Sequence, residues 1–535
     1  MSFRDPEAAV AMFVTLLAIV TMGCGGPSEE SASEEPAVTT VADADAEGST
    51  EGPPAWILAS STQPRGLMRH EPGASDDYVL FSQLTSGTTY LIDREGRAVH
   101  TWDTEMNGGA LYFQDDGAIL RSARLPEPPN FRAGGISGFL QRLDWDGEIV
   151  WQWRMIDEER ALHHDIEPLP NGNILALAWE QKTPEEAAAV GRLPRLIPEQ
   201  GLWSEWIVEI EPIGANDARI VWEWHVWDHL VQNHDPEATN YGEAAESPRR
   251  LNINLNDGSA SFVDEKELEQ LKALGYMPDN ATAEDVQSDF LHINAIDYHP
   301  GLDQIVLSVP QASEIWILDH STTTEEARGS SGGRYGHGGD LLYRWGNAAT
   351  YGRGDEDERQ LFSLHHVLWI PEGREGAGNL TVFNNGRERG WSSVMEISTP
   401  GNGDGNYPLA DGEPFGPAEA TWTYEAEERE SFNAPFISGA VRLENGNTLI
   451  CSGPQGRFFE ITPDGEIVWE YLSPYHGDVP GWSPPGTEQR PYASFRANPV
   501  ASNHPGLAGR DLTPLDPQPE EYVPPEDGPP AAPEE

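Results

Sequence analysis

Three histidines stand at the same point of a repeated unit: His164 in LHHDIEPLPNGN, His292 in LHINAIDYHP and His366 in LHHVLWIPEG. Each opens an apolar run that begins a new repeat, and a repeat architecture brings equivalent positions together in space. Three imidazoles from distant parts of the chain are therefore expected to meet. Two chemistries suit such a group. One is binding of zinc or copper. The other is covalent catalysis, in which one imidazole attacks while the others hold an anion or move protons. Spacing alone leaves both open.

The elements that must position these histidines are short strands. An acidic turn followed by a tryptophan-bearing strand recurs six times, ending at Trp102, Trp153, Trp224, Trp345, Trp422 and Trp469. Before most copies come an apolar run, an Asn-Gly or Asp-Gly turn and another strand, as in LYFQDDGAILRS, IEPLPNGNILAL and VRLENGNTLICS. Such turns between apolar runs signal hairpins. Six units of four antiparallel strands predict an all-β fold, a six-bladed β-propeller over 56–514, with a loop and helix insertion near 226–289. The pattern in DEKELEQLKAL predicts one helix there, with Leu268, Leu271 and Leu274 on one face. Ring closure is expected between the Tyr78 region and Phe495–Ala497.

Aligning the turn glycines Gly117, Gly172 and Gly446 puts Gly109, His164 and Ser438 in one slot, and the flanking strands put His292 and His366 in it too. The first strand of each propeller blade lines the central channel. His164, His292 and His366 are thus expected at one mouth of the channel, with Gly109 and Ser438 opposite leaving room for a ligand. Within the insertion, WEWHVWDHLVQNHDP gathers His225, Asp228, His229, His234 and Asp235. It reads as a lid over the mouth, with a divalent-metal site as the other reading.

Asp and Glu total 89 against 33 Lys and Arg, a net charge of -56. That excludes a nucleic-acid partner, which needs a basic footprint. An anionic substrate would require positive charge concentrated locally. The two cysteines, Cys24 and Cys451, give no disulfide framework. Ala8–Val20 is apolar but short for a membrane span, and it ends in Thr21-Met22-Gly23-Cys24. Residues 1–24 read as a signal peptide with a lipobox and Cys24 as the lipidated residue. The expectation is an exported periplasmic or cell-surface lipoprotein, anchored to a membrane through that lipid. An acidic tether over 25–55 and a Pro/Glu-rich tail over 515–535 flank the propeller, and a monomer is expected.

From about Tyr78 to Arg496 the chain resembles the bacterial aryl-sulfate sulfotransferases, best in HHDIEPLPNGN, HINAIDY…IVLS and LHHVLW…LTVFNNGRERG. The resemblance implies a periplasmic six-bladed propeller without a cofactor. Its members move a sulfuryl group from an aryl sulfate to a phenol through a sulfohistidine, with no nucleotide sulfate donor. It implies His366 as nucleophile, in a place where the family has Gln-His and this chain has His365-His366. It also implies His164 and His292 as assisting histidines and Asn294 as a ligand of the sulfuryl oxygens. The family's arginine falls on Pro310, in LSVP. A guanidinium there would grip an oxyanion with two hydrogen bonds, which proline cannot do. Arg389 and Arg496 are the candidates to substitute, and Trp369 or Trp391 to wall the aromatic ring. The alternative is a propeller that binds a ligand or metal without turnover. A quinone-cofactor propeller fits poorly, because those folds usually carry eight repeats with a glycine-lysine turn that is absent here.

Overall fold

The computed structural model describes residues 64–519 apart from 126–127, 129, 258–264, 274–275, 402 and 478–491. The signal segment, Cys24 and the tether lie outside the described residues, as does most of the tail. Leu515 and Gln518, where the tail was expected to begin, instead hydrogen-bond to Ala98 on the edge of a blade.

The strands form six antiparallel sheets, one per blade. Blade 2 runs outward from the channel as 108–113, 119–124, 138–143 and 149–154, and blade 3 as 160–168, 174–182, 202–213 and 217–225. Blades 4 and 5 begin with Ala295–His299 and Leu364–Trp369, and blade 6 with Gly439–Arg442. Blade 1 takes its innermost strand from the far end of the chain: Ser494–Val500 pairs with Tyr78–Gln83, with Phe81 opposite Ala497. This is the predicted closure. Gly66–His70 adds a fifth, outer strand to blade 6, so both ends of the chain lock the ring. The turn glycines Gly117, Gly172 and Gly446 have φ of 85°, 87° and 87°. That region costs glycine little and other residues more, which is why the turns read so clearly in sequence.

The tryptophan repeat has a physical reason. In every blade an outer-strand indole N–H donates to a carbonyl of the next blade. Trp102 reaches Asp144 at 2.9 Å, Trp151 Asp217 at 3.1 Å and Trp224 Gly339 at 2.8 Å. Trp345 reaches Pro417 at 2.7 Å, Trp422 Pro463 at 3.1 Å and Trp469 Arg94 at 2.8 Å, which closes the circle. In blade 2 the bridging residue is Trp151 rather than Trp153. Each ring covers apolar area while its one polar atom finds a partner, the arrangement in which a buried indole stabilises.

The insertion contains the helices Glu265–Ala273 and Ala283–Ser288. Leu268 and Leu271 are buried as predicted, in one cluster with Tyr276, Met277 and Ile437. Leu274 lies outside the described residues.

Candidate active site

The shared slot of the three histidines is visible in the backbone. His164, His292 and His366 have φ of 45°, 56° and 56°, and Ser438 has 86°. A left-handed non-glycine residue costs about 1–3 kcal/mol and persists only where its surroundings enforce it. Here an irregular start to the inner strand repeats from blade to blade, with register shifts between Ala176 and Ala178 and between His365 and Leu368.

His164 and His292 meet edge to face, with ring centroids 4.4 Å apart. Each is backed by a carboxylate. Asp289 Oδ2 hydrogen-bonds His292 Nδ1, so that nitrogen carries the proton and Nε2 accepts, here from the Tyr276 hydroxyl at 3.0 Å. His164 Nδ1 contacts His163 Nδ1 at 2.9 Å, and His163 Nε2 lies 2.9 Å from Glu205 Oε2. Burial opposes charge on both members of that last pair. It holds the His163 imidazole down to about 3 and pushes the Glu205 carboxyl well up. The pair therefore shares one proton, and where the proton sits decides the state of His164. With Glu205 ionised, both inner nitrogens align so that His164 Nε2 keeps a lone pair. With the proton on Glu205, His164 Nε2 becomes an N–H. Burial and the neighbouring His292 also hold His164 well below the usual imidazole range.

The His365-His366 step carries two further imidazoles. Asn385 uses its amide protons on Ala434 O at 2.7 Å and Ile437 O at 3.0 Å, so its Oδ1 faces His365 Nδ1 at 2.7 Å. That oxygen only accepts, so His365 is protonated on Nδ1 and its Nε2 holds a lone pair. Burial holds His365 down to about 3. His366 packs against Gly439 at the start of blade 6, where a Cβ would stand 2.3 Å from its Nδ1. Burial, then the charge of Arg496, keeps it neutral as well. His164 Nε2, His365 Nε2 and His366 Nδ1 have no hydrogen-bond partner among the described residues. Each such buried group costs about 1–3 kcal/mol, and native folds keep few of them without a use.

A cavity of about 970 Å³ opens over this group, and the insertion forms one wall. His292 and His365 line it; a small cavity beside it holds His164 and Gly109, and Tyr276 borders both. His366 borders neither. The apolar wall is Leu271, Tyr276, Met277 and Phe436; neither Trp369 nor Trp391 is part of it. Arg195, Arg359 and Arg387 line the cavity, each paired with a carboxylate that lines it too: Asp257, Glu388 and Glu267.

Arg496 joins the centre. Its Nη1 pairs with Asp165 at 2.8 Å, its Nη2 donates to Asn294 O at 3.1 Å, and its Nε is buried without a partner among the described residues. Arg389 does not join it, which corrects the sequence expectation. It donates to Trp391 O and Ser393 Oγ and stacks on Phe362 and Trp391, because the NNGRERG turn presents the earlier Arg387 to the cavity instead. Pro310 does border the cavity. Beside it, Ser313 Oγ donates to Pro310 O at 3.3 Å and accepts from Arg359 Nη2 at 2.7 Å, so one hydroxyl separates a guanidinium from the expected arginine position. Asn294 gives an amide proton to Leu364 O at 2.9 Å, tying down the strand that carries His365 and His366.

The lid segment divides in two. Asn233 and His234 reach the cavity. His229 is buried between Asp340, at 2.8 Å, and Ala327 O, at 2.8 Å, while His225 pairs with Glu180. These histidines serve packing. Among the described residues no three His, Cys, Asp or Glu side chains gather as a metal ion would require, and no helix is long and apolar enough to cross a membrane.

Sequence reasoning missed Glu205, Asp289 and Tyr276. Glu205 had a signal, an acid inside the apolar run LWSEWIVEI, and Asp289 stands three residues before His292. Tyr276 had none.

Among solved structures, the chain is similar to a protein of unknown function from Bacteroides caccae, with 10% identity over 80% of this chain and 99% of that one and a TM-score of 0.39. It is also similar to a streptogramin B lyase, at 12% identity over 78% and 85% and a TM-score of 0.35. A periplasmic gluconolactonase of Pseudomonas aeruginosa matches at 10% over 75% and 84%, with a TM-score of 0.36. The chain matches none of the curated proteins. The family model described as Arylsulfotransferase (ASST) matches residues 67–471. With most of its length covered by that match, the chain belongs to the arylsulfotransferase family.

Proposed function

We propose that the protein moves a sulfuryl group from an aryl sulfate to a phenol through a sulfohistidine, without a nucleotide sulfate donor. The observation that carries this reading is the set of buried imidazoles with nitrogens unpartnered among the described residues: His365, which lines the large cavity, His164, which lines the small one, and His366 next to His365 in the chain. A neutral imidazole lone pair can attack sulfur. As the N–S bond forms, the S–O bond to the leaving phenolate breaks, and that oxygen takes the His164 Nε2 proton, which Glu205 replaces on the other side of His164 through His163. Phenols ionise near pH ~10, so phenolate is a tolerable leaving group. In the second half, the acceptor's hydroxyl proton passes to a basic imidazole, its oxygen attacks sulfur, and the N–S electron pair returns to nitrogen. The two carboxylate-backed histidines suit these proton transfers, which typically contribute ~10²–10⁴-fold. Arg359 and Arg387 line the cavity, and each already pairs with a carboxylate, Glu388 and Glu267, as Arg496 does with Asp165, so a sulfate ester must take these guanidinium groups in competition with those partners.

The resemblance implies His366 as the nucleophile. A specific observation favours a second reading for this one role: the Nε2 lone pair of His365 is fixed by Asn385, and His365, unlike His366, is among the residues that line the cavity. The test is acceptor-dependent nitrophenol release from 4-nitrophenyl sulfate by wild type, His366→Ala and His365→Ala. Turnover abolished in one variant and only reduced in the other identifies the nucleophile. Absence of release by folded wild type with any phenol would move the account to a binding propeller.

A further inference from the structure

The insertion places a phenol of its own at the centre. Tyr276 OH lies 3.0 Å from His292 Nε2, and Asp289 holds the other ring nitrogen. Carboxylate, imidazole and hydroxyl stand in the order in which a base activates a hydroxyl nucleophile. Because His292 Nδ1 donates to Asp289, Nε2 is the acceptor and the tyrosine proton points at it. The ring lies in a slot shaped for it. A Cβ on Gly134 would stand 2.2 Å from the ring, and the Phe436 ring packs against it at 5.0 Å. The next residue, Gly135, is as close to His164: a Cβ there would stand 2.2 Å from Nε2. The Gly134-Gly135 turn therefore floors one slot containing the tyrosine ring and the His164 imidazole, and Tyr276 separates the small cavity from the large one.

We propose that Tyr276 is an internal phenol seated in the acceptor's subsite, its hydroxyl occupying the place where an acceptor's hydroxyl gives its proton to His292. The proposal rests on the sulfuryl-transfer reading for the word acceptor, but not for the site, which is one for a flat phenol. An incoming phenol must displace the Tyr276 ring, keep the hydrogen bond to His292 and stack between Gly134 and Phe436. Tyr276 thereby sets a threshold that acceptors must overcome, and phenols that bind His292 more strongly than tyrosine does have the advantage.

The test reads binding, so it does not depend on turnover. 4-Nitrophenol and nitrobenzene, which has no hydroxyl, are titrated into the full chain as wild type, Tyr276→Ala and Tyr276→Ala/His292→Ala. The expected result is 4-nitrophenol binding at least tenfold tighter to Tyr276→Ala than to wild type. That variant should also prefer 4-nitrophenol over nitrobenzene by about fivefold or more, the worth of one hydrogen bond, and lose the preference in the double variant. Equal binding by wild type and Tyr276→Ala overturns the proposal, and so does equal binding of the two ligands by Tyr276→Ala, which would mark a mere apolar hole. Should Tyr276→Ala not fold, Tyr276→Phe keeps the ring and removes its anchor. 4-Nitrophenol should then bind about fivefold tighter than to wild type, and unchanged or weaker binding overturns the idea. Tighter phenol binding without any sulfuryl transfer would leave the subsite standing and sink only the reaction.

Discussion

His320 joins blades 3 and 4 by an ionic clamp whose strength depends on pH. Its Nε2 lies 3.1 Å from Glu209 Oε2 in blade 3, and its Nδ1 lies 2.8 Å from Asp303 Oδ1 in blade 4. Burial alone would lower the imidazole, but the two carboxylates outweigh it and raise His320 from 6.5 to about 9. Both carboxyls are lowered in return, which is the same interaction seen from the other side and is counted once. A group whose pKa is higher folded than unfolded stabilises fully below its unfolded value, and that stabilisation is lost as pH rises through the folded value. At ~1.4 kcal/mol per pKa unit, the shift corresponds to about 3 kcal/mol, and solvent beside the part-exposed Asp303 trims it to about 2 kcal/mol. The perturbation is His320→Gln, which keeps hydrogen-bonding capacity and removes the charge. The assay is urea unfolding of both proteins at pH 6, 8 and 10. The wild-type advantage should be about 2–3 kcal/mol at pH 6 and close to zero at pH 10, declining steadily between the unfolded value of 6.5 and the folded value of about 9, so that a little under half of it remains at pH 8. An advantage independent of pH would refute the reasoning and leave His320 as a packing residue.

Glu205→Gln cannot hold or release the proton shared with His163, so sulfuryl transfer should fall by about 10²-fold or more, with an altered pH–rate profile. An unchanged profile would exclude Glu205 from proton movement. Gly439→Ala drives a methyl group against His366 Nδ1, where only 2.3 Å is free. Turnover should be largely lost while circular dichroism stays native, and full activity would argue that His366 is not at the reacting centre. Arg344 and Glu314 form a fully buried pair at 2.6 Å, so Arg344→Met should destabilise by about 3–5 kcal/mol, read by denaturation. The double replacement with Glu314→Leu should recover much of that loss, because no unpaired charge remains buried.

The architecture was readable because its devices are local. A turn glycine, an alternating strand and an indole that must reach the next blade recur in every unit, so six copies reinforce one another. The slot shared by His164, His292 and His366 was readable for the same reason, and the matching left-handed backbone is its physical counterpart. What the sequence hides is the direction of side chains around irregular turns. Arg389 and Arg387 differ by two residues, yet one stacks on Trp391 and the other faces the cavity. His365 looks like a neighbour of the important residue until Asn385, twenty positions away, fixes its tautomer. Tyr276 reaches His292 only because the insertion folds back over the mouth, a tertiary event with no periodic signature.

The most direct test of the central claim is to look for the covalent intermediate. The protein is mixed with 4-nitrophenyl sulfate without acceptor, quenched at alkaline pH to preserve the N–S bond, digested, and searched by mass spectrometry for one added SO₃. The account predicts the adduct on the peptide containing His365 and His366, its disappearance when phenol is added, and its absence from the variant lacking the nucleophile. Acceptor-dependent turnover with no adduct on any histidine would contradict it and point to direct transfer between the two phenols.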